Sequence, residues 1–237
     1  MERYNTAYRA GTATQTAEFD KGLRAYMLKV YNYMASGVLL TGIIAMIVGT
    51  NQDLMLAIYG GGLRWIVALA PLAFIMVMSF GAHKMSSGTL QMVFWAFAAV
   101  MGLSMASIFA VYSAESIART FFITAASFGA LSLYGYTTKK SLSGMGTFLV
   151  MGLIGIIIAS IVNFFLASSM MAFVINVAGV LIFAGLTAYD TQRIKESYFM
   201  SATGEAVAKG AIMGAVNLYL DFVNLFMFLL NFLGERE

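Results

Sequence analysis

The sequence predicts an all-α polytopic membrane protein with seven transmembrane helices. Three observations predict it: 60% of the residues are hydrophobic against 11% charged, mean hydropathy is +0.82, and a single proline interrupts 237 residues. A soluble domain carries nearer about 45 to 50% apolar residues. Apolar windows of about 20 residues, the length that spans roughly 30 Å of hydrocarbon, recur with short breaks.

Residues 1–29 come first and are polar. Arg3, Arg9, Lys21, Arg24 and Lys29 stand against Glu2, Glu18 and Asp20, without the apolar run of a signal peptide. They are expected to form a cytoplasmic arm with no cleaved leader. Residues 30–237 then read as one seven-helix domain, with spans at Val30–Gly49, Trp65–Ala82, Leu90–Tyr112, Ile117–Tyr136, Gly146–Leu166, Ala172–Thr191 and Ala211–Leu233. The connections are too short for a separate soluble domain.

Lys and Arg in the loops set the orientation. The arm, the second loop (Lys84), the fourth (Lys139, Lys140) and the sixth (Arg193, Lys195, Lys209) alternate with loops carrying Arg64, Arg119 or nothing. The amino terminus and even-numbered loops are therefore expected inside and the carboxyl terminus outside, unless the seventh span re-enters. That span carries Asn217, Asp221, Asn224 and Asn231, a load tolerated in lipid only if other helices surround it. It should be the central helix.

Small residues indicate how the bundle closes, because close backbone approach drives helix association in lipid. Ala98, Gly102, Ala106 and Ala110 form a four-residue ladder, and Gly210 with Gly214 makes a GxxxG. Both read as packing surfaces. Gly60, Gly61 and Gly62 read as a turn, since no strand precedes them and no Lys-Ser/Thr follows.

The absence of cysteine excludes disulfides, thiolate nucleophiles and Cys-ligated metals, and one histidine excludes a His-rich zinc site. A pI near 9.1 from a charge of only +3 suits loops facing anionic lipid rather than nucleic acid. Neither an enzyme activity nor a resident cofactor is expected.

Function is sought at the membrane-embedded acids, since an aspartate at a helix centre costs roughly 2.5 to 3.5 kcal/mol on insertion scales. Asn217, Asp221 and Asn224 fall at i, i+4 and i+7, one face of the seventh span. The sixth span offers Thr187, Asp190 and Arg193 at i, i+3 and i+6, with Tyr189 beside them. If Asp190 and Asp221 meet, both cannot ionise freely, and the pair tends to hold one proton. Deprotonated, it offers a hard oxygen site of the kind Ca²⁺ accepts, although Ca²⁺ takes about six to eight oxygens. Alternatively, Asp190 is neutralised by Arg193 and Asp221 is a lone core acid. Asn163 and Asn176 either hydrogen-bond across the bundle or line a path, and the eighteen methionines fill irregular helix contacts.

Three segments, "AYDTQRIK" (Ala188 to Lys195), "NLYLDFVNLF" (Asn217 to Phe226) and "FWAFAAVMGLSMASIF" (Phe94 to Phe109), resemble the Bax-inhibitor family, also called the transmembrane BAX inhibitor motif family. Short loops and a bare carboxyl tail look like those of a bacterial inner-membrane member. The resemblance implies a seventh helix wrapped by six others and a Ca²⁺ leak gated by pH through a di-aspartyl pair matching Asp190 and Asp221. It also implies a latch between a basic residue at the inner end of the second span and the acid of the sixth. Here that region reads "GAHKMSS", so His83 or Lys84 would serve where some members have arginine.

Two other readings compete. One is a non-conducting regulator that binds other membrane proteins, such as proteases or cell-death regulators. The other is an intramembrane aspartyl protease, since two embedded aspartates sharing a proton also activate water. Tyr189-Asp190 matches half of that signature, but "LYLD" stands where the protease has GxGD and no Pro-Ala-Leu follows.

Overall fold

A computed structural model describes residues 2–198 and 204–235, with side chains from Glu18 onward. The described chain is helical throughout, with no strand: α1 (Glu2–Gly49), α2 (Gln52–Tyr59), α3 (Leu63–Gly81), α4 (Ser87–Met105), a 3₁₀ turn (Ala106–Ala110), α5 (Ala114–Thr137), α6 (Ser143–Leu166), α7 (Ser169–Tyr198) and α8 (Gly204–Leu233). Seven of the helices are long and apolar enough to cross a membrane, the third span being α4 with its 3₁₀ extension.

The expected arm is not a separate element. It continues into the first span as one helix, and α1 already packs from Phe19 onward, with Leu23, Tyr26, Met27, Val30 and Met34 buried at helical spacing. Side chains of the arm's Glu2, Arg3 and Arg9 lie outside the description. α2, the element absent from the sequence reading, is too short to span. Asn51 starts it by accepting the Leu54 N–H at 3.1 Å, and Tyr59 at its end hydrogen-bonds the Leu103 and Ser104 carbonyls. Gly60 to Gly62 form the turn into α3, as expected.

α8 is the centre. In its apolar window 67% of residues are buried, against 11 to 33% in the other six spans. Four helices line it directly, α1, α4, α5 and α7, while α3 packs mainly on α4 and α6 mainly on α7. The central helix thus has four neighbours in close contact, with α3 and α6 completing the surround from outside. Tyr219 of α8 anchors the contact with α1 and α4: its ring meets Phe94 and Phe97 edge-on, and its hydroxyl lies 2.6 Å from Thr41. Thr41 gives its own proton to the Ala98 carbonyl, so Tyr219 is the donor. Ala98, Gly102 and Ala106 of the ladder are buried against α1, while Ala110 is exposed in the 3₁₀ turn.

A second hydroxyl relay ties α1, α5 and α7. Thr191 donates to the Thr187 carbonyl, which leaves Ser132 to donate to Thr191 at 2.9 Å and Tyr31 to donate to Ser132 at 2.7 Å. Such buried hydroxyls are tolerated in lipid because each is satisfied.

The ends sort onto two faces. Tyr26 meets Ser197, Glu205 accepts from the Ser87 N–H at 2.8 Å, and Gln192 bonds Leu142 and Lys140, so the α3–α4, α5–α6 and α7–α8 connections share one face. Glu235 meets Ser113, Ser116 and Arg119 on the opposite face. α8 therefore runs from one end of the bundle to the other without turning back.

Two outcomes are expected. In this cysteine-free chain, single cysteines at Ser141 and Glu235 should react with a membrane-impermeant maleimide from opposite sides; labelling from one side would contradict the crossing of α8. Gly135→Ala should lower stability by about 1 to 3 kcal/mol in detergent thermal unfolding, because a Cβ there runs into the Ala188 carbonyl oxygen and carbon, which are backbone and cannot turn away.

Candidate functional site: two carboxyls in a membrane-embedded cavity

Helical periodicity places the polar residues of α8 on one stripe, and that stripe lines a cavity of about 590 Å³ between α6, α7 and α8. α8 supplies Asn217, Leu220, Asp221, Asn224 and Phe228; α7 supplies Tyr189, Asp190 and Arg193; α6 supplies a wall including Leu153, Ile157 and Ser160. Gly214 holds α7 and α8 close, since a Cβ there would lie 3.0 Å from Ile194.

Asp221 is buried, with 5% of its surface exposed. It lies about 16 Å of helix beyond Gly210, which sits beside Tyr26 at the loop face, and so reaches the middle of a hydrocarbon layer roughly 30 Å thick. Its carboxyl shares the cavity with that of Asp190, near enough for the two to interact directly. Asp221 Oδ2 meets no N–H or O–H donor of the protein. Two ionised carboxylates offer only acceptors, so this contact becomes a hydrogen bond when a proton sits between them. A buried acceptor left unsatisfied costs about 1 to 3 kcal/mol, and more when charged, which favours the proton.

Arg193 Nε lies 3.6 Å from Asp190 Oδ1, too far for a hydrogen bond but close enough for attraction, and its guanidinium stands 5.9 Å from the centroid of the Tyr189 ring. Asn224 donates Nδ2 to the Leu220 carbonyl at 2.8 Å, leaving its Oδ1 as an acceptor. Among the described residues no group of three or more His, Cys, Asp and Glu is assembled. Two carboxyls with amides around them can attract a divalent cation in passage but do not build the six to eight oxygens, in round numbers, of a storage site.

The structure brings together Asp190, Asp221, Asn217, Asn224, Tyr189 and Arg193. Thr187 is the exception. Its hydroxyl donates to the Phe183 carbonyl and it lies outside the cavity: at about 100° per residue it is rotated to the opposite side of Asp190 from Leu186, Tyr189 and Arg193, the side on which Thr191 meets Ser132 of α5. The latch is also not formed. His83 and Lys84 are exposed in the turn between α3 and α4 and neither is ion-paired with Asp190; Arg193, one turn along the same helix, takes that place. Asn163 accepts from the Ser168 N–H and closes the end of α6. The relay through Ser132 and Thr191 has one sign in the sequence, the run of hydroxyls Ser116, Thr120, Thr124 and Ser132 at multiples of four along α5.

Residues 23–237 match the family model described as Inhibitor of apoptosis-promoting Bax1. The chain belongs to the Bax inhibitor family. The match starts at Leu23, the first buried residue among those of α1 whose side chains are described. Bax inhibitor relatives similar to this chain include an uncharacterised protein of Rickettsia prowazekii, 45% identical over 95% of this chain and 96% of that one, and one of Caulobacter vibrioides, 43% identical over the whole of both. The inner membrane protein YbhL of Escherichia coli is 44% identical over 91% of this chain and 94% of its own.

Asp221→Asn should stay within about 1 kcal/mol of wild type in thermal unfolding, because the amide N–H replaces the shared proton as donor to Asp190. A loss of more than about 3 kcal/mol would mean that the amide cannot take the proton's place.

Proposed function

We propose that this protein is a passive calcium leak whose conduction is gated by protonation of the Asp190 and Asp221 pair. The observation that carries the reading is the meeting of the two carboxyls beside Arg193 inside a cavity that runs from Arg193 to Phe228 at membrane depth. The charges give the direction. With one shared proton the pair carries one negative charge, which Arg193 balances; with none it carries two, and the site holds one uncompensated negative charge. Only the second state attracts Ca²⁺ into an apolar surrounding, where unbalanced charge acts strongly. Flux should therefore rise with pH.

The Lys-rich face, with Lys84, Lys139, Lys140 and Lys195, is assigned to the cytoplasm on the positive-inside rule, which places the amino terminus there also. A bacterial inner membrane is the location, a reading supported by the bacterial relatives and by the name of YbhL. The role assigns no catalytic step and no resident cofactor. The alternative, a regulator that binds other membrane proteins without conducting, draws on the family's description as an inhibitor of Bax1.

The test is Ca²⁺ entry into dye-loaded liposomes bearing the purified protein, measured between about pH 5 and 8 to either side of neutrality. Wild type should conduct more as pH rises, Asp221→Asn should lose the pH dependence, and Arg193→Gln should conduct more than wild type at acid pH. Unchanged pH dependence in Asp221→Asn would overturn the gate, and no flux above empty liposomes would favour the partner-binding alternative.

A further inference from the structure

A second cavity, of about 740 Å³, lies between α1 and α5, away from the acids. Both helices pack on α8 but little on each other, so a slot runs between them along the half of the bundle nearest the Lys-rich face. Met27, Met34 and Phe128 form its walls. Its rim carries Leu28 and Leu133, 53% and 62% exposed, so in a bilayer it opens onto acyl chains. A Cβ on Gly129, which also lines the slot, would meet nothing within 4 Å, and the slot is open there.

The end of the slot nearest the Lys-rich face is basic. Arg24 lines it, is exposed, and makes no ion pair with Asp20 one turn earlier or with any other described acid. From α7, Lys195 reaches Tyr136 of the slot wall, its ammonium 2.8 Å from the Tyr136 carbonyl oxygen and 5.2 Å from the ring centroid, and it too lacks an acidic partner among the described residues. A dry channel beneath two unpaired cations at headgroup level is the complement of an amphiphile with an anionic head and a hydrocarbon tail. Water suits it poorly, because a stable buried water needs two to four polar partners or so, the walls are mainly apolar, and the hydroxyls of Tyr31 and Ser132 already bond each other.

We propose that this slot binds one anionic phospholipid, its phosphate on Arg24 and one acyl chain between α1 and α5. A zwitterionic lipid would bring its own cation close to Arg24, whereas an anionic head supplies the missing counter-charge to a guanidinium whose geometry suits phosphate oxygens. The slot also adjoins the acidic site. Tyr31 on its wall donates to Ser132, which donates to Thr191, the residue after Asp190.

The test is native mass spectrometry of the purified full chain, released from neutral detergent after incubation with equal amounts of phosphatidylglycerol and phosphatidylcholine of identical acyl chains. Wild type should retain one phosphatidylglycerol per chain and prefer it about tenfold, roughly one charge-assisted contact. Arg24→Gln should lose that preference, and Gly129→Phe, which fills the open slot, should lower phosphatidylglycerol retention about tenfold or more with helix content by circular dichroism unchanged. Equal retention of the two lipids by wild type would overturn the proposal. So would full retention in Gly129→Phe, which would place the lipid elsewhere, or a lipid-free dimer, which would assign the slot to a second copy of the chain.

Discussion

The constraint on which the rest of the structure depends is that α8 carries Asn217, Asp221, Asn224 and Asn231 through a medium that offers polar groups no water. A carboxyl at that depth has to be turned inward, and turning it inward makes α8 the axis. The other helices are arranged around that need: α1, α4, α5 and α7 cover its sides, and α3 and α6 form an outer layer. Where the cover is incomplete, between α6 and α8, the exposed stripe is the one that carries Asp221 and its amides. The site is therefore a consequence of packing as much as of chemistry.

Hydroxyls extend the same logic. Tyr219, Thr41, Tyr31, Ser132 and Thr191 each find a partner on another helix or on a nearby carbonyl, so polar atoms in the bundle double as joints between helices. Hydrogen bonds of this kind contribute about 0.6 kcal/mol on average in membrane proteins, modest singly, but directional enough to fix which faces meet. The relay from Tyr31 to Thr191 joins α1 to the helix that bears Asp190, and the Tyr219 contact joins α1 to the helix that bears Asp221 two residues on. α1 is thus fastened to both helices of the acidic pair.

Much of this was legible in the sequence, for physical reasons that differ by element. The spans were legible because lipid demands unbroken apolar runs, and the central position of α8 because its polar stripe cannot face lipid. Asp190 and Asp221 stood out because each is costly alone. α2 was hidden because an eight-residue helix leaves no periodic pattern long enough to read, its Asn51 cap being the one sign. Thr187 lies off the site because i, i+3 spacing does not say to which side the roughly 60° of residual rotation falls: for Arg193 it falls toward α6 and the cavity, for Thr187 toward α5. The partner of Asp190 was not legible for another reason: spacing along the chain does not say which basic residue stands beside an acid, and in this structure it is Arg193, one turn away, rather than His83 or Lys84. Cavities, being spaces between helices, have no sequence signature, and neither the α6 wall of the acidic site nor the slot beside Gly129 could be read from residues in order.

The central claim is that Asp190 and Asp221 hold a single proton between them. Infrared difference spectroscopy of the carboxyl carbonyl stretch, recorded during a pH titration of the reconstituted protein, tests it most directly. A shared proton gives one protonated-carboxyl band per chain in wild type that disappears in a single step as the pH is raised, and that is missing altogether from the Asp190→Asn/Asp221→Asn double variant. A wild type without such a band, or a double variant with the same band, would show that the two carboxyls do not share a proton.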